Sequence, residues 1–207
     1  MKKTWVIAAA VIVVIAAVIY SIKSGSHQSG NKVSEPISFS LSTTETSAAV
    51  NYGKNQRGDL LVDFEKPWTV FLGYGPGKGS ATIFTPYHCL ALIARNSAKD
   101  NSDVDTESLR RICAESYKDL YFEVTLYDNK ENFDRDYKAV LLKDGREIPV
   151  LKVLQQGYDE AREYTLSSQQ KLYFPIDILR GKSEITLRIV RPEAPPLDFV
   201  FDLNKIP

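Results

Sequence analysis

Residues 138–153 read KAVLLKDGREIPVLKV, and two features of that stretch decide the fold class. Asp144-Gly145 separates two apolar runs, and an Asp-Gly pair supplies the two left-handed residues that a two-residue hairpin requires. The flanking Val, Leu and Ile suit a pleated, half-buried surface. An antiparallel hairpin is therefore expected here, and with it an antiparallel sheet.

Outward from this hairpin the same kind of pattern recurs. On the N-terminal side, LYFEVTLYD (120–128) alternates from Tyr121 to Tyr127. On the C-terminal side lie KLYFPID (171–177), EITLRIV (184–190), whose Ile185, Leu187 and Ile189 face one way, and LDFVFDL (197–203). Pro192, Pro195 and Pro196 are expected to break the ladder before that last strand, and the polar stretch Gln155 to Gln169 reads as a connection. Earlier in the chain, ISFSL (37–41), DLLVDF (59–64), WTVFLG (68–73) and ATIF (81–84) read as strands, with Pro67 marking a corner, bulge or edge. The glycine-rich run GYGPGKGS (73–80) imitates a phosphate loop, but Leu72 stands where that motif needs its first glycine. It reads as a turn between two strands.

The period changes at Thr85-Pro86, a threonine cap followed by proline at the first helical position, which opens a helix over 87–98. A second cap, Thr106 followed by Glu107, opens 108–116, where Leu109, Ile112 and Cys113 share a face. Eight or nine short strands with a two-helix insertion at about 86–116 give a mainly β chain. The expected architecture is an antiparallel immunoglobulin-like β-sandwich with that insertion, preceded by a single N-terminal transmembrane helix.

That helix is TWVIAAAVIVVIAAVIYSI (4–22), free of charge, proline and glycine. At ~1.5 Å per residue it covers roughly 28 Å, close to the ~30 Å hydrocarbon thickness of a bilayer. Lys2 and Lys3 hold its N-terminus in the cytoplasm. The alternative is a cleaved signal peptide, opposed by the length of the apolar run and by a weak cleavage site at Ser24-Gly25-Ser26. Both readings export the remainder of the chain, a flexible linker over 23–36 and one domain over 37–207, to the periplasm or the cell surface.

Lys+Arg and Asp+Glu stand at 26 each, with no basic block to track phosphates, so nucleic acid is excluded as a partner class. Export makes a Cys89–Cys113 disulfide the expected state of the two cysteines, pinning the two helices together. His88 and Cys89 are adjacent, hence about 100° apart on a helix and badly placed as a nucleophile and its base. One histidine in the folded region does not make a zinc set. Two acidic loops, with Asp100, Asp103, Asp105 and Glu107 in one and Asp128, Glu131, Asp134 and Asp136 in the other, carry the oxygen ligands that calcium takes. An EF-hand beginning at Asp103 fails because Ser108 holds its glycine position.

No cofactor motif is found. The functional expectation is a non-enzymatic envelope module, partnered by the membrane through its anchor and by another envelope protein. Its binding surface is expected around Tyr74, Lys78, Tyr87 and His88. The competing expectations are a carboxylate-based glycan- or ester-hydrolysing enzyme on a sandwich scaffold and a calcium-dependent adhesion or lipid-binding module.

Overall fold

A computed structural model describes residues 41–102, 105–116, 118–162, 165–181 and 183–207. In chain order they form α1 (Thr43–Asn55), α2 (Leu61–Glu65), β1 (Thr69–Phe71), β2 (Lys78–Phe84), α3 (Pro86–Lys99), α4 (Thr106–Ser116) and β3 (Asp119–Asp128). Then come β4 (Lys138–Lys143), β5 (Arg146–Pro149), β6 (Lys152–Arg162), β7 (Thr165–Pro175), β8 (Glu184–Arg191) and β9 (Ala194–Asp202). The expected span Thr4–Ile22, the linker and the strand residues 37–40 lie outside the described residues. Among the described residues no helix is long and apolar enough to cross a membrane.

The hairpin read from 138–153 forms: Lys143 pairs with Arg146 across Asp144 and Gly145, which take φ of 49° and 73°. It belongs to a four-stranded sheet of order β5-β4-β8-β9, beside a five-stranded sheet of order β1-β2-β3-β7-β6, and every pairing is antiparallel. This is the mainly β, two-sheet arrangement of a sandwich. Period-2 alternation sends Leu120, Phe122, Val124 and Leu126 of β3 inward, as it does Ile185, Leu187 and Ile189 of β8. The sheets meet where Phe122 lies 5.3 Å from Phe201 of β9 and 5.7 Å from Phe174 of β7, ring to ring.

The polar stretch before Asp59, ambiguous in the sequence, is a helix, α1, begun by a capping box in which Ser42 Oγ accepts from Glu45 N–H and Glu45 Oε2 accepts from Ser42 N–H. Several expectations are corrected. DLLVDF is no strand. Its last residues form α2 and run into a 3-10 turn over Lys66–Trp68, which buries Phe64 and Trp68, four residues apart on one helical face, and leaves Leu60, Leu61 and Val62 exposed. Of the expected connection Gln155–Gln169, residues 155–162 and 165–169 fall in two eleven-residue strands, β6 and β7. β9 begins three residues before Leu197, with Pro195 and Pro196 inside it. They are tolerated because β9 is the sheet's outer strand, where missing N–H groups cost no ladder bond. β6, the other long outer strand, shifts register at Gln155/Gly157 and again at Glu160/Arg162.

The helix at Thr85-Pro86 forms as expected, Thr85 Oγ1 accepting from His88 N–H at 3.1 Å. α4 starts at Thr106, two residues before the expected 108, because the Asp105 carboxylate takes the capping role and accepts from Glu107 N–H at 3.2 Å. Cys89 and Cys113 do face each other across α3 and α4, but as thiols. Their Sγ atoms lie 3.5 Å apart, a hydrogen-bonding separation far beyond the ~2.05 Å of a disulfide. That hydrogen bond from Cys89 holds the Cys113 thiol below its ordinary range, against the upward push of burial. The expected disulfide is absent.

Candidate functional site

The same alternation that fills the core leaves Tyr121, Glu123, Thr125 and Tyr127 of β3 on the opposite face of the large sheet. Pairing aligns Tyr121 with Phe84 and Tyr173, Glu123 with Thr82 and Lys171, Thr125 with Ser80 and Gln169, and Tyr127 with Lys78 and Ser167. From Tyr121 to Tyr127 the strand spans about 20 Å. Along that length the outer face divides into three zones.

The first is a row of rings that runs from the helices onto the sheet. Trp68 stacks on His88 at 4.3 Å and 7°, His88 meets Phe84 at 4.6 Å, Phe84 stacks on Tyr121 at 4.6 Å, and Tyr121 lies 5.5 Å from Tyr173. His88 is fully buried, with Nδ1 3.2 Å from the Ile83 carbonyl. Burial pushes its imidazole down to about 4, the backbone hydrogen bond opposing. Glu65 Oε1 stands 3.9 Å from His88 Nε2. Burial, then the nearby Glu123 charge, push the Glu65 carboxyl up, with Arg95 opposing. At neutral pH this contact is therefore a neutral imidazole facing a carboxyl group, not an ion pair.

A pH dependence results. The unfolded imidazole binds its proton near pH 6.5 and the folded one only near 4, so stability is whole above pH 6.5 and falls as pH drops toward 4. Between pH 7 and 5 this single group is expected to cost about 2 kcal/mol. The raised Glu65 works in the opposite sense, its contribution growing as pH falls. Urea unfolding at the two pH values, on the natural chain and on His88→Phe, checks this; an unchanged slope in the variant refutes the assignment to His88.

The second zone is the ion pair of Glu123 with Lys171 Nζ at 2.7 Å, the ammonium also lying 5.4 Å from the centre of the Tyr121 ring. The third is a cleft of about 320 Å³ at the far end. Thr125 and Tyr127 of β3 and Ser167 and Gln169 of β7 line it from the sheet; Tyr74, Gly75 and Thr165 complete its rim. Tyr74 is carried by the glycine-rich turn, in which Gly73, Gly75 and Gly77 take φ of 112°, 97° and 71°, values that a side chain rarely allows. Although 69% exposed, its ring packs 4.8 Å from Phe71 and 5.4 Å from Tyr127. Each residue lining the cleft is uncharged.

Of the four residues expected to form a binding surface, the structure brings Tyr74 to the cleft and Lys78 to the row of Tyr127. Tyr87 is half-buried 6.4 Å from Tyr52, and His88 is sealed beneath Trp68 and Phe84, so neither presents a surface with the other two. Thr125, Ser167 and Gln169 were not singled out by the sequence. The only signal for them was the alternation of β3, because the polar run of β7 concealed its strand.

The acidic loops do different work. Asp134 is buried, and Gln155 Nε2 (2.9 Å), Gln170 Nε2 (2.5 Å) and Ser168 Oγ all donate to its Oδ2, tying the β3–β4 connection to the inner face of β6 and β7. Asp105 caps α4, and the Ser108 hydroxyl holds its carboxyl below the ordinary range. Asp128 accepts from Asn129 N–H, Asp100 and Asp136 are exposed, and Asp103 lies outside the described residues. Among the described residues no three of His, Cys, Asp and Glu gather to hold a metal ion. In comparison with known proteins, no family model matches the chain and no curated protein matches it.

Proposed function

We propose that this chain is a membrane-anchored, extracytoplasmic module of the cell envelope with a non-enzymatic binding role, and that it binds through the outer face of its five-stranded sheet. The anchor and the export rest on the apolar segment 4–22, and the immunoglobulin-like plan on the two antiparallel sheets. The observation that carries the binding role is the cleft, where exposed aromatic rings and uncharged polar side chains converge on one strand pair. A photo-crosslinking residue at Gln169 is expected to capture an envelope component in native membranes. The same residue at Val200, exposed on the outer face of the small sheet, is expected to capture none. Equal capture at both positions, or none at Gln169, overturns the reading.

One observation favours a second reading, the carboxylate hydrolase. Glu65 is held toward its acid form by burial and by Glu123, the kind of environment that separates an acid from its partner. Turnover of any substrate in a glycan and ester panel, lost in Glu65→Gln, supports it. Inactivity across both panels removes it.

A further inference from the structure

We infer that the cleft between Tyr74 and Gln169 is a saccharide site, taking a neutral oligosaccharide or one repeat of a polysaccharide; this rests on the binding reading above.

Three physical constraints lead there. The first concerns what the floor can offer. β3 and β7 are interior strands, paired on both sides in the order β2-β3-β7-β6, so their backbone N–H and C=O groups are already spent in the sheet. An extended peptide that binds by adding a strand needs a free edge and finds none in this floor. Recognition must come from side chains.

The second constraint is charge. The lining of Tyr74, Thr125, Tyr127, Thr165, Ser167 and Gln169 holds no ionised group. Of the charges that border it, Glu123 and Lys171 are engaged with each other at 2.7 Å, and the exposed Lys78, paired with Tyr127, stands outside the lining. A strongly charged ligand would lose hydration in the cleft without gaining a counter-charge from its lining.

The third is the match of groups. Hydroxyls on Thr125, Thr165 and Tyr127 each donate and accept, and the Gln169 amide does both from separate atoms. A sugar hydroxyl likewise donates and accepts, so such pairs form in either sense. Beside them the Tyr74 and Tyr127 rings, 5.4 Å apart and inclined at 53°, give an angled apolar wall for the C–H face of a pyranose. Tyr74 and Phe71 keep 69% and 51% of their surface in water. A stacked sugar ring recovers part of that cost. The volume of about 320 Å³ lies at the small end of ligand sites, which suits one or two sugar rings.

The test uses the full chain in a detergent without a sugar headgroup, titrated with cello-, malto-, xylo- and chito-hexaoses, with polygalacturonate as the charged arm and a mixed hexapeptide library as the peptide arm. Calorimetry reads affinity and the Gln169 side-chain amide resonance reads location. At least one neutral hexaose is expected to bind and to shift Gln169. Tyr74→Ala is expected to weaken it about tenfold or more, Gln169→Ala severalfold, and Val200→Ala not at all. If the charged or peptide arm shifts Gln169 while every neutral hexaose is silent, the saccharide assignment fails and the binding face stands. If ligands shift only resonances elsewhere, or no arm produces heat or shift, the saccharide assignment fails; the crosslinking at Gln169 then decides separately whether the face binds anything.

Discussion

Gly53→Ala is expected to lower the unfolding free energy by about 3 kcal/mol, even though alanine is the better helix former by ~1 kcal/mol. Gly53 sits in the last turns of α1, where that helix crosses α3, and a Cβ built on it would lie 2.1 Å from the Ala91 carbonyl oxygen and 2.9 Å from Arg95 N. Both obstacles are backbone. They cannot turn aside as a flexible side chain would, so the two helices must separate, and with them the contacts of Ala49, Val50, Ala91 and Ala94 that their small residues permit. Gly58 provides the control, since its Cβ would meet nothing within 4 Å, and Gly58→Ala is expected to stay within about 0.5 kcal/mol of the natural chain. Chemical denaturation of the two variants side by side decides the matter; equal stability would mean that the helices do not cross at Gly53.

Asp134→Ala is expected to cost a similar amount, about 3 kcal/mol, for an opposite reason: it removes a group instead of adding one. Three donors converge on the buried carboxylate, and hydrogen bonds to a charged acceptor contribute more than neutral ones. Without it, the buried Ser168 hydroxyl and the half-buried Gln170 amide lose their acceptor, while the exposed Gln155 regains water. Asp134→Asn is expected to cost less, because the Ser168 hydroxyl can rotate and the Gln amides can reverse to meet its mixed donor and acceptor. Hydrogen exchange gives the second readout. The β3–β4 connection should lose protection before the sheets do, and uniform loss across the molecule would argue against a local latch.

The elements read most faithfully from sequence are those whose signal is local and steric. Asp144-Gly145 makes its turn because both residues tolerate positive φ, and Thr85-Pro86 opens α3 because the cap and the missing N–H act within one turn. Misreadings arose where one pattern serves two geometries. DLLVDF is apolar enough for a buried strand, and nothing inside it shows that Phe64 will share a face with Trp68. The Ser42 and Glu45 capping box was present in the sequence, but a weakly apolar helix followed it, so the start signal had no run to attach to.

The site was half legible for a related reason. β7 carries Ser167, Ser168, Gln169 and Gln170 in succession, a polar run that resembles a loop. Its alternation is real but is written in polar groups on both faces: Ser168 and Gln170 donate inward to Asp134, while Ser167 and Gln169 line the cleft. Hydrophobic periodicity cannot detect a strand whose inner face meets a buried carboxylate. Spacing alone likewise gave no sign that Asp134 would be enclosed while Asp136, two residues on, would stay in water.

The outer strands have a consequence for how this chain behaves when crowded. β9 opens on Ala194-Pro195-Pro196, β6 is broken twice in register, and β1 and β5 are only 3 and 4 residues long. None of the four offers a neighbouring molecule a long straight run of free donors and acceptors, even where Val153 and Leu154 lie exposed on β6. Among the described residues, these four borders thereby oppose fibre growth by strand addition when molecules are crowded together.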